Sequence, residues 1–177
     1  EGVIGIKSHH ATQQDEKYNV NKINEIYIDA GFKNKREALR NGINIGSPVT
    51  YAPYYKSLKN NNVCGSSIDD RAGCAVILSA AKSLNKSKNR PTVHIVFSVQ
   101  EEFNLRGILP VVNTLKPHIA VQVDLMLSSD TPDMINSSDV HLGKGPCISL
   151  FSFHGRGTLN GVIPHPAMVE LFEKVAK

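Results

Sequence analysis

The chain reads as an α/β protein, a mixed sheet flanked by helices, joined to part of a smaller β-rich domain. Three observations carry that reading. From Val63 onward, short apolar runs alternate with segments of helical periodicity, the pattern of a sheet covered by helices. The run Val93-His94-Ile95-Val96-Phe97-Ser98-Val99 is nearly continuous in apolar and β-branched residues, as strands buried on both faces are. Before Val63 the sequence instead favours short strands with one brief helix.

Taken in order, Gly2 to Ile6 opens the chain as a strand, and Ile23 to Ile28 alternates partly, with branched and aromatic residues. Asn34 through Arg40 predicts a helix ended by Gly42. Val49 to Tyr51, before Pro53, predicts a further short strand. Lys59-Asn60-Asn61-Asn62 is polar and low in complexity, which divides the chain into residues 1–62 and 63–177. Ala72 to Leu84 sets Cys74, Ile77, Leu78, Ala81 and Leu84 on one helical face. Val93 to Val99 is a strand, Ile108 to Leu115 a helix with Pro110 in its first turn, and Ile119 to Val123 the next strand. Cys147 to Phe153 predicts another strand, and a last helix starts near Pro166.

Composition narrows the function. The 177 residues are 41% hydrophobic and carry a net charge of +4, which excludes a disordered chain. The basic residues are scattered and no aromatic residues interleave with them, so a nucleic-acid groove is not indicated. Cys64, Cys74 and Cys147 are odd in number and match neither a disulfide framework nor a zinc ribbon. That usage fits a reducing cytoplasm. No apolar stretch is long enough to span a bilayer and no leader opens the chain. The absence of an initiating methionine and the helical pattern at the end read as an internal fragment.

Three acidic stations carry the chemistry: Asp69-Asp70, Glu101-Glu102 and Asp124. Each follows a short apolar run, and ligands in open α/β sheets bind beyond the carboxyl ends of strands. Carboxylates gathered there repel one another unless a cation compensates them. Hard oxygen ligands with a few nitrogens suit zinc, cobalt or manganese. Adjacent residues of extended backbone point in opposite directions, so Glu101 and Glu102 divide two tasks, one binding metal and one acting as general base. Each station also has a bland reading: a helix cap for Asp69-Asp70, a solvated helix entry for Glu101-Glu102, a turn for Asp124. The repeated placement after successive elements favours a shared site.

The ordered set Ile68-Asp69-Asp70-Arg71-Ala72-Gly73, Val99-Gln100-Glu101-Glu102 with Leu105-Arg106-Gly107, Val123-Asp124 through Ser129-Asp130-Thr131-Pro132, and Leu142-Gly143-Lys144-Gly145-Pro146 resembles the glutamyl/leucyl aminopeptidase family. These are self-compartmentalising, tetrahedral-particle enzymes, some of which carry an older endoglucanase label. The resemblance implies a partial zinc-aminopeptidase-like fold with part of the inserted dimerisation domain in residues 1–62. It implies an aminopeptidase that removes the residue at an unblocked peptide amino terminus, using a hydroxide that bridges two divalent metal ions. By position, Asp69 matches the bridging carboxylate and Asp70 the residue joined to it through a cis peptide, counted here with the catalytic residues. Glu101 matches the general base, and Glu102 and Asp124 ligands of one metal each. The resemblance further implies peptide substrates and dimers that assemble into a dodecamer.

The family's two histidine ligands fall outside this chain, and His9, His10, His94, His118, His141, His154 and His165 match neither position. Phe103-Asn104 replaces the usual Val-Gly, although Asn tolerates left-handed backbone; Asp133 stands where glycine is usual. Two other readings remain. A β-glucan hydrolase would need two carboxylates about 5–10 Å apart across one sugar bond, and the chain has no tryptophan for a sugar platform. A catalytically incomplete assembly or binding module would keep its interface and lose metal. Gly143-Lys144-Gly145 lacks the spacing of a phosphate loop, and His154-Gly155-Arg156-Gly157 reads as a glycine-rich turn that could also set Arg156 near a substrate carboxylate.

Overall fold

The computed structural model describes residues 1–153 and 161–176. The chain forms two compact units, Glu1–Ser66 and Ser67–Lys177.

In the first unit, β1 (Val3–Gly5) pairs antiparallel with β2 (Tyr27–Asp29), Ile4 opposite Ile28 and Gly5 opposite Tyr27. A side chain at Gly5 would collide with the Tyr27 ring, 2.5 Å from its Cζ, so glycine there makes room for the aromatic partner. Ile23–Glu25 is a 3-10 turn rather than strand, because the Glu25 carboxylate turns back to accept the Lys22 N–H at 2.7 Å. Helix α1 (Lys35–Arg40) falls within the predicted span, with Asn34 as its cap rather than its first residue: the Asn34 side chain accepts the Glu37 N–H at 3.0 Å. Gly42, at φ 82°, ends it and donates its N–H to Leu39.

The expected strand at Val49 to Tyr51 does not form. Its place is taken by β3 (Tyr55–Ser57), paired antiparallel with β4 (Val63–Gly65). The polar stretch Lys59-Asn60-Asn61-Asn62 turns this hairpin, with Asn60 and Asn61 at φ 58° and 60°, left-handed backbone that Asn tolerates. Mutual bonds between Tyr54 and Ser66 extend the hairpin: Ser66 N–H donates to the Tyr54 carbonyl at 2.9 Å, and Tyr54 N–H to Ser66 Oγ at 3.1 Å.

The second unit holds α2 (Ile68–Leu84), α3 (Ile108–Leu115), β5 (Ser152–Phe153) paired antiparallel with β6 (Gly161–Val162), and α4 (Pro166–Val175). Backbone angles at Asp69 and Asp70 are not helical, so regular α2 begins after them, close to the expected start at Ala72. Of its expected face, Cys74, Ile77 and Ala81 are half-buried while Leu78 and Leu84 are exposed. Pro166 occupies the first turn of α4 and His165 Nδ1 accepts the Ala167 N–H at 3.2 Å.

Helices and strands coexist as expected, but the mixed sheet does not. Among the described residues each sheet has two strands, all antiparallel. Val93–Val99 and Ile119–Val123 form no strand. A run hydrophobic enough for a covered strand still needs a partner strand, and no described strand pairs with either segment. Val93, Ile95, Phe97 and Val99 consequently stay between 40% and 69% exposed. Of Cys147–Phe153, only its last two residues enter a strand. Gly73 and Ser129 are the buried residues among those described, and no large apolar side chain is buried.

Candidate metal centre

The acidic stations all belong to the second unit. At the first, Ser67 adopts left-handed backbone (φ 54°) and its carbonyl accepts the Arg71 N–H at 3.2 Å, so the chain turns into α2 across Asp69 and Asp70. The peptide bond between these two aspartates is cis, as the resemblance implies. Asp70 Oδ1 accepts the N–H of Gly73 at 2.9 Å. Gly73 is itself buried, and a Cβ there would lie 2.5 Å from that Oδ1 and 2.8 Å from Cγ. The Asp-x-x-Gly spacing was visible in the sequence; the close approach that explains it was not.

The second station differs from its expected form. Glu101–Phe103 is a 3-10 turn, not extended backbone. Gln100 at φ 57° and Asn104 at φ 65° bracket it, and Leu105 follows at φ 56°. Extension breaks at Gln100, so the two glutamates diverge by about a third of a turn, the 3-10 spacing, rather than to opposite faces. Glu101 is half-buried and Glu102 exposed. Asn104 holds the left-handed conformation that its residue type suggests.

At the third station, Asp124 Oδ1 accepts its neighbour Leu125's N–H at 2.8 Å and Oδ2 an amide hydrogen of Gln122 at 3.3 Å. Beyond it the chain is cross-tied. Ser129 N–H donates to Val140, its hydroxyl lies 2.6 Å from that of Ser138, and Asp130 Oδ2 accepts the Leu142 N–H at 2.8 Å. His141 Nδ1 lies 3.4 Å from the other Asp130 oxygen.

The first and third stations converge. Asp69, Asp70 and Asp124 each offer a carboxylate oxygen, and these atoms lie within 4.8 Å of one another. Glu102 stands outside that group, yet its charge reaches Asp69. Withdrawal from water first, then the carboxylates of Asp124, Glu102 and Asp70, hold the Asp69 proton more tightly than an ordinary aspartate would. A cation would reverse that balance by replacing repulsion with attraction. The donor set is all hard oxygen, and three of its members are already close together, so these residues fit a divalent cation. The group contains no histidine. Arg156, considered for a substrate carboxylate, lies outside the described residues, as does His154.

The profile of the M42 glutamyl aminopeptidases matches residues 1–177. The chain belongs to this family. It is 41% identical over 175 residues to SgcX of Escherichia coli (strain K12), provisionally named an aminopeptidase, covering 99% of this chain and 47% of that one. It is 28% identical over 151 residues to the lysyl aminopeptidase of Pyrococcus furiosus, covering 84% of this chain and 42% of that protein. Among solved structures, the aminopeptidase APDkam598 of the archaeon Desulfurococcus kamchatkensis superimposes with a TM-score of 0.85 at 30% identity, over 99% of this chain and 46% of that one. The chain thus spans about half the length of the relatives it matches.

Proposed function

We propose that the protein carrying this chain is a divalent-metal-dependent aminopeptidase acting on peptides with a free amino terminus. The observation that supports this most is the meeting of Asp69, Asp70 and Asp124 within 4.8 Å, with Glu102 adding its charge at Asp69, in a chain of the M42 family. In this reading Asp69, Glu102 and Asp124 would hold the divalent cations, and zinc, cobalt or manganese would all suit the oxygen donors. Bound there, divalent cations would acidify water and polarise the scissile carbonyl.

The remaining steps fall to side chains. Asp70, fixed through Gly73, orients the acidic group. Glu101 takes a proton from the attacking water and returns it to the leaving amine. The free amino terminus of the substrate docks beside the carboxylates, which favours removal of one terminal residue. The three cysteines are unpaired, in keeping with a cytoplasmic enzyme. Homo-oligomeric assembly, dimers building a dodecamer, belongs to the same proposal, with residues 1–62 supplying part of the dimerisation domain and residues 63–177 part of the catalytic one.

The test is Glu101→Gln, assayed on unblocked peptides with zinc, cobalt or manganese. Turnover should fall about 10²–10⁴-fold, the usual contribution of a general base, while cation uptake persists. Turnover within a few-fold of wild type would remove Glu101 from the mechanism. Hydrolysis of a β-glucan without metal would favour the glycosidase reading instead, and an intact assembly that takes up no cation would favour a binding module.

A further inference from the structure

The segment from Val99 to Gly107 closes on itself. Gly107 N–H donates to the Val99 carbonyl at 3.0 Å, Arg106 N–H to that of Gln100 at 3.3 Å, and Leu105 N–H to that of Glu101 at 3.0 Å. Gln100, Asn104 and Leu105 are all left-handed. Such conformations are disfavoured for residues with a side chain and persist where surrounding contacts over-determine them. Here the over-determination is the set of cross-ties, and the loop they hold displays Glu101 and Glu102.

The closure depends on one position. A Cβ on Gly107 would fall against the Val99 carbonyl oxygen, 2.7 Å from the Val99 nitrogen and 3.0 Å from its carbonyl carbon. These are backbone atoms of the loop's opposite end, so they cannot swing aside as a side-chain tip can. Gly107 has φ −69° and ψ −32°, angles open to any residue. Glycine is therefore required here for space and not for conformational freedom.

We propose that Gly107 is a positioning residue: by letting the two ends of the loop meet, it sets Glu101 and Glu102 in register with Asp69. This rests on the metal-site reading given above. Opening the closure by one methyl group would turn the glutamates away while leaving Asp69, Asp70 and Asp124 where they are.

The experiment is a calorimetric zinc titration of wild type, Gly107→Ala, Asn104→Gly and Asn104→Ala, with melting temperature and peptide kinetics alongside. Gly107→Ala should lower one zinc affinity about 10–100-fold, as loss of supporting contacts around a metal ligand does, and leave the other unchanged. Its kcat should fall with KM little altered, because Glu101 acts on water rather than on substrate binding. Asn104→Gly keeps the left-handed turn and should bind zinc as wild type does; Asn104→Ala should weaken the same single site to a smaller extent. Wild-type zinc binding in Gly107→Ala would overturn the assignment, as would loss of both affinities in step with the melting temperature. If Gly107→Ala does not fold, the Asn104 pair decides, and equal zinc affinities in the two would overturn it. No zinc uptake by the wild-type protein would overturn the metal reading itself, and this assignment with it.

Discussion

Replacing Gly73 with alanine isolates the role of Asp70. The new Cβ would stand 2.5 Å from Asp70 Oδ1, where ordinary contact begins at 3.4 Å, so the oxygen must retreat by roughly 0.9 Å. Its hydrogen bond from the Gly73 N–H, now 2.9 Å, is lost in that retreat. Two effects on stability oppose each other. Alanine is favoured over glycine within a helix by about 1 kcal/mol, while a hydrogen bond to a charged group contributes about 1.5–3 kcal/mol. The net loss is about 0.5–2 kcal/mol, or a fall of roughly 1–8 °C in melting temperature for a chain of this size. The functional cost should be larger, because a displacement near 1 Å can reduce catalysis about 10²-fold. Calorimetric zinc binding and peptide turnover, compared with the melting curve, separate the two. Full activity with an unchanged zinc affinity would refute the placement of Asp70 in the site. A fall of 15 °C or more would refute the claim that Asp70 simply steps aside.

Two further substitutions read the electrostatics through pH. In metal-free protein the Asp69 pKa is raised, chiefly by loss of hydration and then by Asp124, Glu102 and Asp70, so its ionisation opposes folding. The favourable contribution of its proton is complete below 3.8, the ordinary value, and disappears as pH rises through the higher folded value. Asp69→Asn with chelator should therefore match or exceed wild-type stability at neutral pH in urea titrations, while zinc binding is lost; a less stable variant would contradict the repulsion. Asp130 is the opposite case, held low first by the Leu142 N–H and then by Ser128 and His141. Its contribution is present above 3.8 and fades as pH falls through the lower folded value. Stability curves of wild type and Asp130→Asn should converge in acid and separate toward neutrality; parallel curves would show that the Asp130 charge carries no stability.

What the sequence disclosed was local. Asn34 at the start of a helical pattern, Gly42 behind it and Pro166 at a helix start each act within one turn, so their residue types suffice. The acidic stations were legible for a related reason: a carboxylate after an apolar run is unusual wherever it occurs, and three such placements in succession are harder to attribute to caps and turns. Pairing was not legible, because a ladder depends on a partner distant in sequence. Val93–Val99 has the composition of a covered strand and no described neighbour to complete it, whereas Tyr55-Lys56-Ser57 has little strand character and pairs because the Asn60–Asn61 turn folds Val63–Gly65 back onto it. The loop carrying Glu101 and Glu102 escaped detection because Gln100 and Leu105 are not residues that announce left-handed backbone. The importance of Gly73 and Gly107 shows only when a missing methyl group is placed against its surroundings.

Every carboxylate of the proposed centre comes from the second unit, and the first unit ends with its hairpin at Ser66. The carboxylates and the hairpin therefore lie in separate stretches of the chain. Substitutions accumulating in residues 1–66 can remodel one unit's surface without altering the charge pattern of Asp69, Glu102 and Asp124.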